Sequence, residues 1–116
     1  MAEPGCLFCR IVAGQVPCDQ VASTAGTVAF RDIAPAAPVH VLVVPRDHIA
    51  DAARLDDRAG ELLAEMLSTA RAVAEGEGIA TSGYRLVLNV GDDGGNTVAH
   101  LHLHVLGGRR LAWPPG

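Results

Sequence analysis

The sequence predicts an α+β fold with one antiparallel sheet of about five strands, one long helix on a face of that sheet, and one short helix. The order of segments carries this prediction, because strand-like runs come first, a long amphipathic helix follows and strand-like runs then return. An alternating βαβ fold would instead place a helix between successive strands. The chain has 116 residues, of which 49% are hydrophobic, so one core and a single domain over residues 1–116 are expected.

The first part of the chain is predicted to form a short helix and then strands. Residues 6–13 are interpreted as a helix that ends at Gly14. Runs rich in β-branched residues at 26–31 and 39–45 predict two strands, and a weaker run near Val21 predicts another.

The long helix is predicted over residues 57–77. Asp56 is expected to cap its beginning, and Gly76 and Gly78 are expected to end it. Apolar residues recur at spacings of three and four along this segment, which gives one stripe for burial. The stripe consists of Ala59, Leu62, Leu63, Met66, Leu67, Ala70, Val73 and Ala74.

Two further strands are predicted near the end of the chain, over residues 84–90 and 98–106. The glycine-rich residues 91–96 between them permit positive φ angles, so an antiparallel hairpin is the simplest connection. Consecutive prolines exclude the tail, residues 109–116, from a helix or a central strand. We therefore expect an extended tail that carries the only tryptophan, Trp113.

Charge and composition exclude several classes of function. A net charge of −4 argues against a nucleic-acid-binding surface, which normally requires a basic face. All nine cationic side chains are arginines, so chemistry that depends on a Walker-A, Schiff-base or kinase lysine is excluded. No apolar stretch approaches the roughly 20 residues of a membrane helix, and the first residues lack the basic start of a secretory signal, so a cytoplasmic location is expected.

Three of the five histidines fall within residues 100–104 and alternate with apolar residues. On a strand this spacing puts His100, His102 and His104 on one face and turns the intervening residues into the core. Such a face is compatible with a zinc hydrolase. However, His100 and His104 would lie about 13 Å apart along a strand, too far for both to bind one ion, so at least one histidine serves another purpose.

A second group of reactive residues is Cys6-x-x-Cys9, which is compatible with half of a zinc site, a redox pair or coincidence. His48 and an end histidine of the triplet are available to complete a closed, structural tetrahedron. Cys18 is most simply a spare thiol.

Residues 100–106, His-Leu-His-Leu-His-Val-Leu, are similar to the His-φ-His-φ-His-φ-φ signature of the histidine triad (HIT) family. Residues 106–109 and the Trp-Pro-Pro-Gly at 113–116 resemble its histidine triad nucleotide-binding (Hint) branch. Residues 30–40 and 43–48 resemble the ribose-binding segment and the strand that follows it, and residues 89–98 resemble the phosphate loop. Together these stretches cover nearly the whole chain.

The resemblance implies hydrolysis of purine nucleoside 5′-phosphoramidates or related nucleotidyl substrates through a nucleotidyl-histidine. It implies that His102 is the nucleophile and that His104 and His40 orient it and bind phosphate oxygens, while the Thr97 hydroxyl donates to the phosphate or the leaving group. The implied nucleotide-binding residues are Asp32 for the ribose, Asn89 for the phosphate or a sugar oxygen, Gly95 and its neighbours through backbone N–H groups, and Phe8, Ile11, Phe30 and Ile33 for the base.

Many bacterial members of this branch carry the Cys-x-x-Cys and bind zinc. The resemblance therefore implies a structural zinc site formed by Cys6, Cys9, His48 and His100, which leaves His102 and His104 for phosphate. It also implies a homodimer in which each tail reaches toward the site of the other copy. Two alternatives remain open for function: dinucleoside polyphosphate hydrolysis, as in the Fhit branch, and a nucleotide-binding regulator or scaffold.

Overall fold

The computed structural model describes residues 2–116. A five-stranded sheet in the order β1-β2-β3-β5-β4 forms its centre, and every neighbouring pair of strands is antiparallel. Two α-helices and two short 3-10 helices complete it. In chain order the elements are α1 (Leu7–Val12), β1 (Gln20–Ser23), β2 (Thr27–Arg31), β3 (Val39–Pro45), 3-10 helices at Ala52–Arg54 and Asp57–Ala59, α2 (Gly60–Gly76), β4 (Tyr84–Val87) and β5 (Leu103–Gly107). This architecture confirms the predicted α+β fold.

Alternation along the strands sorts the apolar side chains onto the two faces of the sheet. On one face, Val41, Val43 and Val105 pack with residues of α2, including Met66 and Ala70. On the other face, Phe8 of α1 packs with Val28, Phe30, Leu42 and Val44 of β2 and β3. The long helix thus covers one face, and the short helix lies beside the histidines on the other.

The predicted start of the long helix was three residues early. Asp56 does act as a cap, but its carboxylate accepts from the backbone N–H of Arg58 at 2.9 Å and begins the 3-10 helix at Asp57–Ala59. The α-helix itself begins at Gly60 and ends at Gly76. Gly78 adopts φ +76°, the left-handed conformation that ends a helix.

The predicted hairpin between the last two strands was correct in its pairing and wrong in its length. β4 and β5 are antiparallel, with Tyr84 opposite Gly107 and Val87 opposite His104. However, β4 ends at Val87 and β5 begins at Leu103, so residues 88–102 form a long connection.

The placement of all three histidines on one strand was also wrong, because His100 and His102 precede β5 and only His104 lies on it. The backbone N–H of Leu101 donates to the carbonyl of Ile49 at 2.6 Å, which ties this segment to the loop after β3. Leu101 nevertheless enters the core with Leu103 and Val105, as the alternation predicted.

Among the described residues, no helix has both the length and the apolar character required to cross a membrane. The cytoplasmic location stays a prediction.

Candidate active site and metal centre

The two ring nitrogens of His102 have different roles. One donates a hydrogen bond to the protein, and the other is unprotonated and has a free lone pair. Its Nδ1 lies 2.7 Å from the carbonyl oxygen of His100. Because a carbonyl oxygen only accepts, Nδ1 must carry the proton. In the neutral ring Nε2 then has a free electron pair, on a side chain that is 8% exposed and lines a cavity. A neutral imidazole fixed in this tautomer is a competent nucleophile.

His104 has the opposite tautomer, which two hydrogen bonds impose. The backbone N–H of Ala36 donates to Nδ1 of His40 at 3.0 Å, so neutral His40 carries its proton on Nε2. That Nε2–H donates to Nδ1 of His104 at 2.9 Å. Neutral His104 therefore carries its own proton on Nε2, and this buried nitrogen has no hydrogen-bond partner among the described residues. His104 thus offers an N–H donor to a ligand.

Burial keeps both of these histidines neutral near pH 7. It lowers the pKa of His40, an effect that the Asp32 carboxylate opposes. Burial also lowers the pKa of His104 to about 4, helped by the neighbouring His102 and His40 rings. The hydrogen bonds from Ala36 to His40 and from His40 to His104 therefore keep their donors and acceptors, and Nε2 of His104 remains a donor at neutral pH.

Asp32 makes two local contacts beside the hydrogen-bond chain that joins Ala36, His40 and His104. One carboxylate oxygen accepts from the backbone N–H of Ala34 at 2.9 Å, which is an Asx turn. The other lies 3.4 Å from Nε2 of His40. Asp32, His40 and His104 also form a group with the spacing of metal ligands. Metal binding at Nε2 of His40 would move its proton to Nδ1, against the Ala36 N–H, so we interpret this group as a hydrogen-bond chain.

The cavity beside His102 and His104 has a volume of about 260 Å³. Most of its lining residues come from α1, β2, β3, β5 and the segment before β5. Eight of the predicted site residues line it: Phe8, Ile11, Phe30, Asp32, Ile33, Thr97, His102 and His104. The side chain of Ile33 is 99% exposed, so it lies at the rim of the cavity.

Three of the residues predicted for catalysis or nucleotide binding do not line this cavity. His40 acts behind His104, as described above. Asn89 lies in the long connection, outside the cavity lining. The backbone N–H groups of Gly95 and Asn96 donate to the carbonyls of Asp92 and Gly91, at 2.9 and 3.0 Å, so they are used within the loop.

Several residues that line the cavity were not identified from the sequence, and the sequence pattern around most of them does not indicate a site. Leu42 and Val98 line the cavity, and the alternation of β3 after His40 could have indicated Leu42. Pro17 and Cys18 also line it, although nothing in their local sequence points there. The backbone groups that set the tautomers belong to Ala36 and His100, and backbone groups leave no trace in residue type.

The two cysteines and two histidines of the predicted metal site converge in space. The ligand atoms of Cys6, Cys9, His48 and His100 all lie within 4.8 Å of one another. Nδ1 of His100 is 3.2 Å from Sγ of Cys6 and 3.5 Å from Sγ of Cys9, and Nδ1 of His48 is 3.4 Å from Sγ of Cys9. Tetrahedral zinc with ordinary bond lengths separates sulfur and nitrogen ligands by about 3.5 Å.

The tautomer of His100 also suits a metal ligand. Its Nε2 lies 3.0 Å from the carbonyl oxygen of Pro45, so Nε2 carries the proton and the Nδ1 lone pair faces the thiols. A metal-bound imidazole usually donates its other ring N–H to an acceptor such as a backbone carbonyl. The group could therefore hold a metal ion, and two thiols with two imidazoles are typical of structural zinc.

The fold and the site define a class of small α+β protein with three closely spaced histidines. The first lies in a cluster with two cysteines, and the other two line a cavity. The chain belongs to the HIT domain family, whose sequence profile it matches over residues 13–111. This confirms the family resemblance read from the histidine motif.

Individual relatives agree with this assignment. The chain is 48% identical over 110 residues to an uncharacterized HIT-like protein of Synechococcus elongatus, covering 95% of this chain and 96% of that protein. It is 39% identical over 112 residues to the adenylylsulfatase HINT1 of Arabidopsis thaliana, covering 95% and 76%. Among solved structures, a HIT family hydrolase from Legionella pneumophila superimposes with a TM-score of 0.94 at 48% identity, covering 97% of this chain and all of that one.

Proposed function

We propose that this protein is a hydrolase that cleaves purine nucleoside 5′-phosphoramidates and related nucleotidyl substrates through a nucleotidyl-histidine intermediate. The observation that carries the proposal is the pair of opposed tautomers. Nε2 of His102 presents a lone pair, and Nε2–H of His104 presents a donor, at one cavity. The names of two relatives, a hydrolase and an adenylylsulfatase, support hydrolysis of an adenylyl-bearing substrate.

In the first step, Nε2 of His102 attacks the α-phosphorus, an N–P bond forms, and the bond to the leaving amine breaks. The amine leaves with the electron pair of the broken bond and takes up a proton from the solvent. As the His102 ring becomes positive, its Nδ1–H bond to the carbonyl of His100 strengthens. Nε2–H of His104 donates to a non-bridging oxygen on which negative charge accumulates.

In the second step, water attacks the same phosphorus and His102 is the leaving group. The oxygen–phosphorus bond forms as the N–P bond breaks, and the attacking water releases one proton to the solvent. This step releases the nucleoside monophosphate and restores the neutral ring. Thr97 lines both the nucleotide cavity and a neighbouring pocket of about 450 Å³. We propose that its hydroxyl donates to the phosphate or to the leaving group.

The nucleoside occupies the rest of the cavity. The apolar side chains of Phe8, Ile11, Phe30 and Ile33 contact the purine, and the Asp32 carboxylate accepts from the ribose hydroxyls. Asn89 and the loop of Gly95 lie outside the cavity lining, and we propose that Asn89 contacts the phosphate or a sugar oxygen and that backbone N–H groups of the loop contact the phosphate.

We propose that zinc is bound by Cys6, Cys9, His48 and His100, with a structural role. When bound, the ion supplies a fixed tetrahedral crosslink among α1, the residues after β3 and the segment before β5. Four protein ligands would leave no open position for a substrate or water. His100 would then be fixed through its side chain, and its carbonyl accepts from Nδ1 of His102.

We also propose a homodimer. β4 is an edge of the sheet, and Leu86 on it, with Leu88 and Val90 after it, is exposed. An unpaired strand edge beside exposed apolar side chains favours pairing with a second copy. The tail, whose Trp113 is 80% exposed, would then be available to contact the other copy.

Rapid acid quench followed by mass spectrometry tests the proposed function. During turnover of adenosine 5′-phosphoramidate, we expect one nucleoside monophosphate added to the peptide that contains residues 100–104, with fragmentation placing it on His102. A panel of adenosine and guanosine phosphoramidates and diadenosine polyphosphates then ranks the substrates. An adduct on His104, or turnover with no adduct, contradicts the mechanism. Faster turnover of diadenosine polyphosphates contradicts the substrate class.

A further inference from the structure

A short segment between α1 and β1, residues 16–18, forms part of the wall of the nucleotide cavity. Pro17 and Cys18 of this segment line the cavity, and the Cys18 side chain is exposed. Within residues 2–116, the backbone of the 16–18 segment makes no hydrogen bond to another part of the chain. The position of this part of the wall therefore depends on the residues that flank it.

The residue that follows the segment, Asp19, is held by Arg31 of β2 in two ways. The backbone N–H of Arg31 donates to the carbonyl of Asp19 at 2.9 Å. Nε of the same arginine lies 3.2 Å from Oδ2 of Asp19. Arg31 also lines the cavity, next to the proposed ribose ligand Asp32. One side chain thus contacts both the cavity and the end of the 16–18 segment.

Arg31 is anchored on its other side by the end of α2. Its two terminal guanidinium nitrogens donate to the two carboxylate oxygens of Glu77, one of them at 3.0 Å, in a bidentate pair. The side chain of Glu77 is 17% exposed and that of Asp19 is 71% exposed, so the pair with α2 is the better shielded from solvent. The guanidinium group therefore has a fixed position from which to hold Asp19.

We propose that Arg31 is a positioning residue for nucleotide binding, which acts by holding the 16–18 segment in place as a wall of the cavity. The inference rests on the proposed function, because it concerns the same cavity. The charged contacts of the guanidinium group are made within the protein, so Arg31 acts through Asp19 rather than by binding phosphate.

The effect of Arg31 is on affinity rather than on chemistry. When the segment is released, only the molecules with the wall in place bind nucleotide, and the apparent dissociation constant rises as that fraction falls. The attack by His102 is unchanged once the nucleotide is bound. Loss of Arg31 therefore raises KM and leaves kcat nearly constant.

This arrangement is compatible with the proposed homodimer. In the sheet, β2 is separated from β4 by β3 and β5. Arg31, Asp19 and Glu77 all lie outside β4 and the tail, which are the parts proposed to contact the second copy.

Calorimetric titration of the zinc-loaded, full-length protein with adenosine monophosphate tests the inference. Arg31→Gln and Asp19→Asn should each raise the dissociation constant by about two- to fivefold, the range expected for loss of an exposed ion pair. Arg31→Lys keeps a positive charge between the two carboxylates and should recover part of the affinity. Arg71→Gln, on the exposed surface of α2, is the matched control and should leave the affinity unchanged.

Two further measurements separate positioning from a general loss of stability, at a temperature where circular dichroism shows each variant to be folded. With adenosine 5′-phosphoramidate, KM should rise in Arg31→Gln while kcat stays within about twofold of the native value. Iodoacetamide should alkylate Cys18 faster in Arg31→Gln than in the native protein, as measured by peptide mass spectrometry. At a fixed concentration, adenosine monophosphate should slow this alkylation more in the native protein.

Three results would overturn the proposal. They are an unchanged affinity in Arg31→Gln, a loss of affinity in Arg31→Gln that Asp19→Asn does not share, and an equal loss in Arg71→Gln. The second result would mean that Arg31 binds the nucleotide directly. Native protein that binds adenosine monophosphate but forms no adduct on His102 contradicts the proposed hydrolysis and leaves the effect of Arg31 on binding measurable, so the two failures are distinguishable.

Discussion

His102 and His104 are two positions apart and have ring centres 4.9 Å apart, yet their protons lie on different nitrogens. The carbonyl of His100 requires a donor from His102, and the N–H of Ala36, through His40, requires an acceptor from His104. The two histidines therefore differ in which ring nitrogen is protonated, because their hydrogen-bond partners differ. Each prediction at the residue scale depends on one of these assignments.

Replacing His102 with alanine removes the proposed nucleophile and leaves His104 and the cavity in place. We expect kcat for adenosine 5′-phosphoramidate to fall by roughly 10⁴-fold or more, as for other covalent nucleophiles. Binding of adenosine monophosphate, measured by calorimetry, should remain detectable and serves as the control. His102→Gly should recover part of its turnover when imidazole is added. Substantial activity in His102→Ala would exclude this residue as the nucleophile.

Burial of neutral His104 makes stability depend on pH. Its pKa is about 4 in the folded protein, against an ordinary value near 6.5 when the chain is unfolded. Between these values the unfolded chain binds more protons, so this contribution is complete above pH 6.5 and is lost as the pH falls toward 4. In urea unfolding at pH 7.0, 5.5 and 4.5, the native protein should lose more stability than His104→Gln. Parallel curves for the two proteins would contradict the assignment.

At the scale of elements, α1 shows how a six-residue helix is held in position. Sγ of Cys6 accepts from the backbone N–H of Cys9 at 3.3 Å and caps the helix, while Phe8 packs against Phe30 with ring centres 5.4 Å apart. A helix this short is not stable by itself in water. Its thiols, directed at His48 and His100, are the groups through which a metal ion would fix it.

Removing one metal-binding thiol tests that crosslink. Purified protein should contain about one zinc per chain by elemental analysis, and Cys6→Ser should bind less zinc and melt at a lower temperature. Turnover at a temperature where the variant is folded should fall less than in His102→Ala. Cys18→Ser is the matched control, because this exposed thiol lies outside the cluster and should leave zinc content unchanged. Zinc-free protein with reduced thiols would refute the structural zinc.

The segment before β5 explains why the predicted strand was too long. Residues 98–102 alternate as a strand does, and Leu101 reaches the core as alternation requires. Their backbone, however, bonds to the loop after β3 rather than to β4, as the Leu101 to Ile49 contact shows. The site benefits from this departure, because the carbonyl of His100 is thereby available to the side chain of His102.

At the scale of the whole molecule, the sheet leaves β1 and β4 as its edges, and exposed apolar side chains accompany β4. If the proposed dimer forms there, Leu86→Glu should convert it to a monomer at micromolar concentration, as measured by light scattering. Gln20→Glu, on the opposite edge, should leave the mass unchanged. A monomeric native protein, or a dimer that is insensitive to Leu86→Glu, would count against this interface.

The sequence by itself determined the types of the elements and most of the apolar stripe of α2, although Ala59 of the predicted stripe lies before the helix and Leu67 is 44% exposed. Periodicity predicts these features because burial of a helix or strand face is a local property of the chain. The histidine motif and Cys6-x-x-Cys9 also indicated the family and the division of the histidines between metal and phosphate, and the measured distances in the cysteine cluster agree with that division.

Only the tertiary structure decided where β5 begins and which ring nitrogen of each histidine carries a proton. These properties depend on backbone carbonyls and N–H groups from other parts of the chain, such as Pro45 beside His100 and Ala36 beside His40. A backbone group is the same in nearly every residue, so its hydrogen-bonding direction becomes visible only when the chain has folded around it.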